Sequence, residues 1–281
     1  MGKPLKKAYL EITNICNLDC SFCHKTKREK AFMSKEAFTY AAKELFTVSD
    51  YLYFHVMGEP LLHPQLEEFL KISADIGFKT ILTTNGTLLK KREAILLSAE
   101  RLHKISISLH AYEANGMRES LEEYIDSCLD FADKASKKGI IIALRLWNIG
   151  GKEALNDAIL LKMREKFGEN FEKTRGGLKL RDKLYLEWGD AFEWPDLDAE
   201  VYCENHSCYA LRDQVAVQVD GRVIPCCLDA EGVIDLGNIF RTPIEEILAS
   251  PRALALKESF EKRCIKEDLC RRCDFAIKRV K

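Results

Sequence analysis

Three cysteines lie within eight residues near the N-terminus, in the segment CNLDCSFC at 16–23, where Cys16, Cys20 and Cys23 are spaced C-x3-C-x2-C. In a chain without an export signal, clustered thiols indicate a metal site before disulfides. A [4Fe–4S] cube takes four thiolates, one for each iron, so three would leave one iron open to another ligand. The alternatives are a zinc site completed by His24, which the C-x3-C spacing fits poorly, and three unrelated thiols.

The composition limits the classes of protein to consider. The chain has 281 residues, of which 47% are apolar and 31% charged, with a formal net charge of -1. This favours a globular protein with a sizeable core, and gives no general reason to expect nucleic acid or an anionic membrane as partner. Because no apolar run reaches membrane-spanning length and the N-terminus has no signal-like apolar segment, we expect a cytoplasmic protein.

Strand and helix patterns alternate through the first two thirds of the chain. Strands are predicted at 7–13, 51–56, 78–84, 103–109, 140–146 and 183–188, with helices at 34–46, 63–77, after 87, at 120–139 and at 153–168. Six such units predict a parallel α/β sheet, either a partial barrel or a doubly wound sheet. The three-cysteine loop directly follows the first strand, which places it at the C-terminal edge where α/β active sites lie.

The pattern changes after the sixth strand. An acidic stretch at 191–202 reads as a linker, and 213–227 reads as a β-hairpin turning at Asp220-Gly221, followed by helices at 242–250 and 251–264. We therefore predict a core domain at 1–190, a linker at 191–202 and a small C-terminal domain at 203–281.

The C-x3-C-x2-C motif, with Phe22 before its third cysteine and after the first strand of a (βα)6 pattern, resembles the radical S-adenosylmethionine (radical SAM) superfamily. The resemblance implies a partial (βα)6 TIM-like barrel in which Cys16, Cys20 and Cys23 hold a [4Fe–4S] cluster and SAM chelates the open iron. Reductive cleavage of SAM would then give a 5′-deoxyadenosyl radical that abstracts a substrate hydrogen.

Other stretches match the superfamily position by position and imply the cofactor-binding residues. MGEP at 57–60 resembles the G-G-E-P motif at the end of strand two, with methionine in place of the first glycine. There the Glu59 carboxylate is expected to face the SAM ammonium. The same resemblance implies cofactor contacts from Phe22, Gly58, Pro60, Thr84, Asn85, Ser108 and Arg145. An ordinary turn at Asn85-Gly86 and a structural ion pair at Arg145 are the alternatives.

The C-terminal cysteines resemble the SPASM extension of radical SAM enzymes. Cys208, Gly221 and Cys226 fit its C-x(9–15)-G-x4-C opening, and C-R-R-C adds Cys270 and Cys273. The further cysteines of a full SPASM domain are missing, as in its truncated "twitch" form. Four ligands suffice for one auxiliary [4Fe–4S] cluster, although a zinc ribbon is an alternative. Cys203 or Cys227 is a possible substitute ligand, whereas Cys128 and Cys264 are read as incidental thiols.

An auxiliary cluster that accepts an electron would make the reaction a two-electron oxidation, with a proton to be removed. Glu187 and Asp190, at the end of the sixth strand, are the candidate bases. The expected partners are a small-molecule or peptide substrate and a flavodoxin- or ferredoxin-type reductant. Three hypotheses remain: a twitch-type oxidoreductase acting on a small molecule or a carbohydrate-like alcohol; a maturase that modifies a peptide or protein side chain; and a scaffold for electron transfer or zinc without radical chemistry. RNA is a weaker variant, suggested by the basic segment 173–183.

Overall fold

The computed structural model describes residues 3–116, 120–202 and 205–278. The strands are β1 (Lys7–Leu10), β2 (Tyr51–Tyr53), β3 (Lys79–Thr84), β4 (Leu102–Ser108), β5 (Ile141–Ile149), β6 (Glu172–Thr174), β7 (Gly177–Arg181), β8 (Leu184–Asp190), β9 (Gln214–Val217), β10 (Arg222–Ile224) and β11 (Gly237–Asn238). The helices are α1 (Lys35–Val48), α2 (Leu66–Ile76), α3 (Leu89–Ser98), α4 (Ala111–Asn115), α5 (Leu121–Lys137), α6 (Asn156–Phe167), α7 (Ile244–Leu248), α8 (Pro251–Glu261), α9 (Asp268–Arg271) and α10 (Asp274–Lys278). No helix of these residues is long and apolar enough to cross a membrane.

The six predicted strand units form a parallel sheet in the order β1-β2-β3-β4-β5-β8, which confirms the α/β assignment. In the described part of the chain this sheet extends to eleven strands, with β9, β10 and β11 beyond β1 and β7 and β6 beyond β8. Because β1 and β8 pair with different neighbours, hydrogen bonds do not close the sheet into a ring. This is the open form of barrel expected from six units rather than eight.

Local sequence signals set the helix boundaries. Ser34 caps α1 by accepting a hydrogen bond from the Ala37 N–H at 3.2 Å. Ser120 and Glu123 form a capping box at the start of the long helix α5. The helix predicted at 63–77 is shorter, since α2 begins at Leu66, after Pro64. These helices bury their apolar faces against the sheet, where Phe38 of α1 stacks on Phe69 of α2 at 4.1 Å between ring centroids.

The basic segment 173–183 forms most of the β6–β7 hairpin, whose second strand pairs antiparallel with β8. The sequence patterns did not predict this hairpin. Its cations are partly neutralised within the protein: Arg181 pairs with Asp133 on α5, and Lys179 lies 3.6 Å from Glu172. These pairs accord with a structural role for the basic segment.

The predicted C-terminal hairpin is present and joins the main sheet. Strand β9 pairs in parallel with β1, with Ala8 opposite Val215, and β10 returns antiparallel to β9. Gly221 at the turn has φ +85°, and a Cβ there would lie 2.3 Å from the Phe240 ring, so this position requires glycine. The hairpin thereby brings Cys227, just after β10, to the apolar cluster that contains Tyr9 of β1, the strand that precedes the N-terminal cysteine loop.

Candidate active site

The N-terminal cysteines lie on a loop at the C-terminal edge of the sheet, as predicted. Cys16 is exposed, Cys23 is half-buried and Cys20 is buried. Asn115 at the end of α4 donates a hydrogen bond to the Cys20 Sγ at 3.0 Å. Burial raises the pKa of Cys16 to about 11, so a bare thiolate is disfavoured there and metal cations would supply the missing stabilisation. The donor set and its environment therefore fit a bound iron–sulfur cluster.

The zinc alternative calls for a different arrangement of ligands. Within residues 3–116, 120–202 and 205–278, no group of three or more His, Cys, Asp or Glu side chains is arranged to hold a single metal ion. A cube does not need that convergence, because each thiolate binds a different iron. His24, the proposed fourth zinc ligand, has its Nε2 3.4 Å from the Glu231 carboxylate.

Glu11 fixes the base of the cysteine loop, a role that the sequence patterns did not reveal. Its carboxylate is fully buried and accepts two hydrogen bonds from the Arg28 guanidinium, at 2.7 and 2.8 Å. It also accepts from the N–H groups of Met57, after β2, and Val219, in the C-terminal hairpin. One carboxylate thus joins the cysteine loop, the MGEP segment and the C-terminal region. The only sequence signal was a charged residue inside the apolar run of strand one.

The MGEP segment packs tightly against the cysteine loop. Gly58 has φ +78°, and a Cβ would lie 2.5 Å from the Thr13 carbonyl oxygen, so only glycine fits. Met57, which replaces a glycine of the superfamily motif, is buried in an apolar cluster with Tyr9 and Val56. Pro60 starts a 3-10 helix, Pro60–Leu62.

The Glu59 carboxylate, which is expected to face a SAM ammonium group, is held by backbone N–H groups in this structure. It is buried, and it accepts hydrogen bonds from the N–H groups of Leu61, at 3.0 Å, and Asn85, at 2.8 Å. Burial raises its pKa to about 7 although these donors oppose the shift. The observed contacts make Glu59 a link between the ends of β2 and β3.

Among the polar residues at the ends of β3 and β4, some lie by the cysteine loop or a cavity and others are buried. Asn85 has its Nδ2 3.9 Å from the Cys16 Sγ and donates to Asn17 at 3.0 Å. Ser108 lines a cavity beside the cysteine loop. The Thr84 hydroxyl instead accepts from the Gly86 N–H and is buried. Side chains alternate along a strand, so Thr83 lies on the opposite face from Thr84. The Oγ atoms of Thr83 and Ser106 are buried without a hydrogen-bond partner in the described structure.

A central cavity of about 390 Å³ opens beside the cysteine loop, at the C-terminal ends of the strands. Phe22, Ser108 and Arg145, three of the predicted cofactor contacts, line it together with His55 and Cys227. Its aromatic wall includes Phe192 and Trp194 from the predicted linker. The Trp194 indole N–H donates to the Phe22 carbonyl at 3.0 Å, so the linker is fixed against the cysteine loop.

The two candidate bases lie in different surroundings. Glu187 accepts hydrogen bonds from Lys104 at 2.7 Å and Arg145 at 3.3 Å. Burial alone would raise the pKa of Glu187, but these two cations hold it below its ordinary value. Asp190 is exposed and lies in a neighbouring depression with Trp188 and Lys278. The structure therefore does not bring the two carboxylates together in the central cavity, and the ion-paired Glu187 is a weak proton acceptor.

The four C-terminal cysteines predicted to act together line one small apolar cavity of about 80 Å³: Cys208, Cys226, Cys270 and Cys273. Burial raises the pKa of Cys273 to about 12, which again calls for cationic stabilisation of the thiolate. The Ala210 N–H lies 3.4 Å from the Cys208 Sγ. Four thiols around one small cavity fit a fully ligated cluster.

The remaining cysteines lie elsewhere. Cys227 faces the central cavity rather than this one, Cys264 is exposed, and Cys128 is fully buried within α5. Cys203, the other possible substitute ligand, lies outside the described residues.

Family comparisons agree with this arrangement. The model of the radical SAM superfamily matches residues 10–158, and the SPASM model, an iron–sulfur cluster-binding domain, matches residues 208–274. The first match covers more than half of the chain, which therefore belongs to the radical SAM superfamily. It also carries a SPASM-type domain, of which the described part holds the four-thiol cavity. Membership implies a [4Fe–4S] cluster and SAM, and it makes the protein an enzyme.

Curated relatives that resemble this chain in sequence include GTP 3′,8-cyclases. It is 28% identical over 211 residues to GTP 3′,8-cyclase of Aquifex aeolicus, covering 69% of this chain and 61% of that protein. It is 34% identical over 113 residues to a probable GTP 3′,8-cyclase of Saccharolobus islandicus, covering 39% of this chain and 36% of that protein. The chain thus spans less than two thirds of these curated relatives.

Two solved structures share the fold over nearly the whole chain. BtrN in complex with AdoMet and 2-DOIA has a TM-score of 0.63 at 19% identity, covering 98% of this chain and 94% of that one. The enzyme anSMEcpe with bound AdoMet and Cp18Cys peptide has a TM-score of 0.63 at 16% identity, covering 96% and 88%. At these identities the likeness concerns the fold, so the substrate must be argued from the cavity itself.

Proposed function

We propose that this protein is a radical SAM oxidoreductase that removes two electrons from a small, carbohydrate-like alcohol. The first electron leaves within the hydrogen atom taken by the SAM-derived radical. Cys208, Cys226, Cys270 and Cys273 would hold an auxiliary [4Fe–4S] cluster, which would accept the second electron, and the hydroxyl proton would be released. A flavodoxin- or ferredoxin-type donor supplies the electron for SAM cleavage.

The wall shared by the two cavities carries this proposal. Cys226 lines the four-thiol cavity, its neighbour Cys227 lines the central cavity, and Leu228 lines both. A substrate in the central cavity is thus separated from the auxiliary site by a wall to which these three consecutive residues contribute. An electron acceptor at that position suits a reaction that must take a second electron from a substrate radical.

The protein residues supply position and exclusion of water. When bound, the cluster and SAM supply the radical that abstracts hydrogen. The Glu11–Arg28 pair and Gly58 hold the loop that bears the three thiols. Phe22, Trp147 and Trp194 form an apolar wall around the reacting space, which protects a reactive intermediate from side reactions with solvent.

The test is anaerobic reconstitution with iron and sulfide, followed by assays with SAM, reductant and candidate alcohols. We expect about eight irons per chain, formation of 5′-deoxyadenosine, and a product lighter than its substrate by two hydrogens. A product only from peptide substrates would replace this proposal with peptide maturation. About four irons, or bound zinc, would exclude the auxiliary cluster, and no SAM cleavage would favour a non-catalytic scaffold.

A further inference from the structure

The central cavity has an unequal distribution of charge. Two of its lining residues, Arg145 and Lys152, are cations, whereas no lining residue in the described part of the chain is a carboxylate. Glu187 lies beside Arg145, but it is also bonded to Lys104, so this group of three keeps one net positive charge. Glu113, on α4, does not line the cavity and accepts hydrogen bonds from the N–H groups of Ala154 and Leu155. A cleft lined by one sign of charge concentrates ligands of the opposite sign.

Arg145 is held in a geometry that suits an oxyanion. Only its Nε is bonded to Glu187, at 3.3 Å. Its guanidinium carbon lies 4.6 Å from the centroid of the Trp147 ring, which fixes the plane of the group. Gly189 permits this packing, since a Cβ there would lie 2.8 Å from the indole. A fixed guanidinium with free terminal N–H groups binds carboxylate or phosphate with two parallel hydrogen bonds.

His55 supplies a neutral polar contact on the same cavity. Its ring packs edge-on against Tyr9 at 5.4 Å, and its Nδ1 is buried with no hydrogen-bond partner in the described structure. Burial, with the charges of Arg145 and Lys7, lowers its pKa to about 3, so the ring is neutral at physiological pH. A neutral imidazole presents one acceptor and one donor, which matches a hydroxyl group.

We propose that the substrate is a small hydroxylated organic anion, whose carboxylate or phosphate binds Arg145 and whose hydroxyl group binds His55. This inference rests on the proposed function, because it names the substrate class of the same cavity. Aminated, cationic alcohols are disfavoured, since the lining offers them no carboxylate partner.

Binding can be measured without turnover, because Trp147 and Trp194, two of the three tryptophans, line the cavity. The reconstituted enzyme with SAM is titrated with glucose, glucose 6-phosphate, glucuronate and glucosamine, while tryptophan fluorescence is recorded. The four probes share one ring and differ in charge. We expect at least one of the anions to bind about tenfold or more tighter than glucose, and glucosamine to bind weakest. The phosphate and carboxylate arms identify the anionic group.

Two variants locate the effect. R145Q is expected to lose the preference for anions, whereas K43Q, which removes an exposed positive charge from α1, should keep it. Equal binding of neutral and anionic probes by the wild-type enzyme, or no anion binding at millimolar concentration, overturns the proposal even if R145Q does not fold. Loss of SAM affinity in R145Q without a change in probe preference assigns Arg145 to SAM and also overturns it. Because no product is measured, failure here is distinguishable from failure of the oxidation.

Discussion

The two cysteine sites differ in the number of thiols and in their enclosure. The N-terminal site has three thiols on a loop where Cys16 is exposed, beside a cavity of about 390 Å³. The C-terminal site has four thiols around an apolar cavity of about 80 Å³. Three thiolates and open space leave room for a reacting ligand, whereas four thiolates in a small cavity complete a cube. One fold thus carries two different thiol sites, which the proposed function assigns to radical chemistry and to electron acceptance.

The largest effect is expected from removing one thiol of the three-thiol N-terminal site. C20A should bring SAM cleavage below detection and reduce the iron content by about four per chain, because two thiolates hold a cube poorly. The measurements are iron content and 5′-deoxyadenosine formation. C264A, which removes an exposed thiol, is the control and should change neither. Full SAM cleavage in C20A would contradict the assignment.

Removing one thiol of the four-thiol C-terminal site should separate substrate oxidation from SAM cleavage. C270A is expected to lose about four irons and substrate oxidation, while SAM cleavage remains. The measurement compares 5′-deoxyadenosine with oxidised product in the same reaction. Unchanged product in C270A would show that the second electron leaves by another route.

Glu11 tests the structural link between the sites. E11Q should lower the free energy of unfolding by about 3–5 kcal/mol, because it leaves the Arg28 charge buried without its carboxylate. Iron content should fall at both sites, since Glu11 contacts both regions. E258Q, which breaks an exposed ion pair with Lys262 on α8, is the matched control and should cost less than about 1 kcal/mol. Equal effects of the two variants would exclude the linking role.

The smallest effect concerns pH. Burial lowers the pKa of His55 to about 3 and that of His110 to about 4, so both stay neutral in the fold while the unfolded chain takes up protons below about pH 6.5. Stability is therefore fully present above pH 6.5 and falls as the pH drops towards 3–4. Lowering the pH from 7.5 to 5.5 should reduce the free energy of unfolding by about 1.4 kcal/mol for each of the two histidines. Urea unfolding at both pH values measures this loss of stability in the wild type and in H55Q. The loss should be smaller by about 1.4 kcal/mol in H55Q, and an identical loss in the two proteins would contradict the prediction.

Local patterns predicted the parallel sheet, the cysteine loop and the C-terminal hairpin because each depends on short-range signals. Apolar runs, the Ser34 cap and the Asp220-Gly221 turn act within a few residues. The β6–β7 hairpin was missed because its basic composition resembles a solvated segment. The pairing of β9 with β1 was missed because no local signal encodes a contact across more than two hundred residues of chain.

The site residues divide in the same way. The seven cysteines were predicted from spacing, whereas the function of a polar side chain depends on its direction and neighbours. Glu59 accepts a hydrogen bond from the Asn85 N–H and Thr84 accepts one from the Gly86 N–H, and Glu187 is paired with Lys104 and Arg145, which lie on other strands. Glu11 and His55 were missed because their roles arise only when distant segments meet.

Electron paramagnetic resonance of the reduced, reconstituted enzyme, recorded with and without SAM, tests the central difference between the two sites most directly. We expect two [4Fe–4S] signals, of which one shifts on addition of SAM and is lost in C20A, while the other is unaffected by SAM and is lost in C270A. A single signal, or two signals that both ignore SAM, would contradict it.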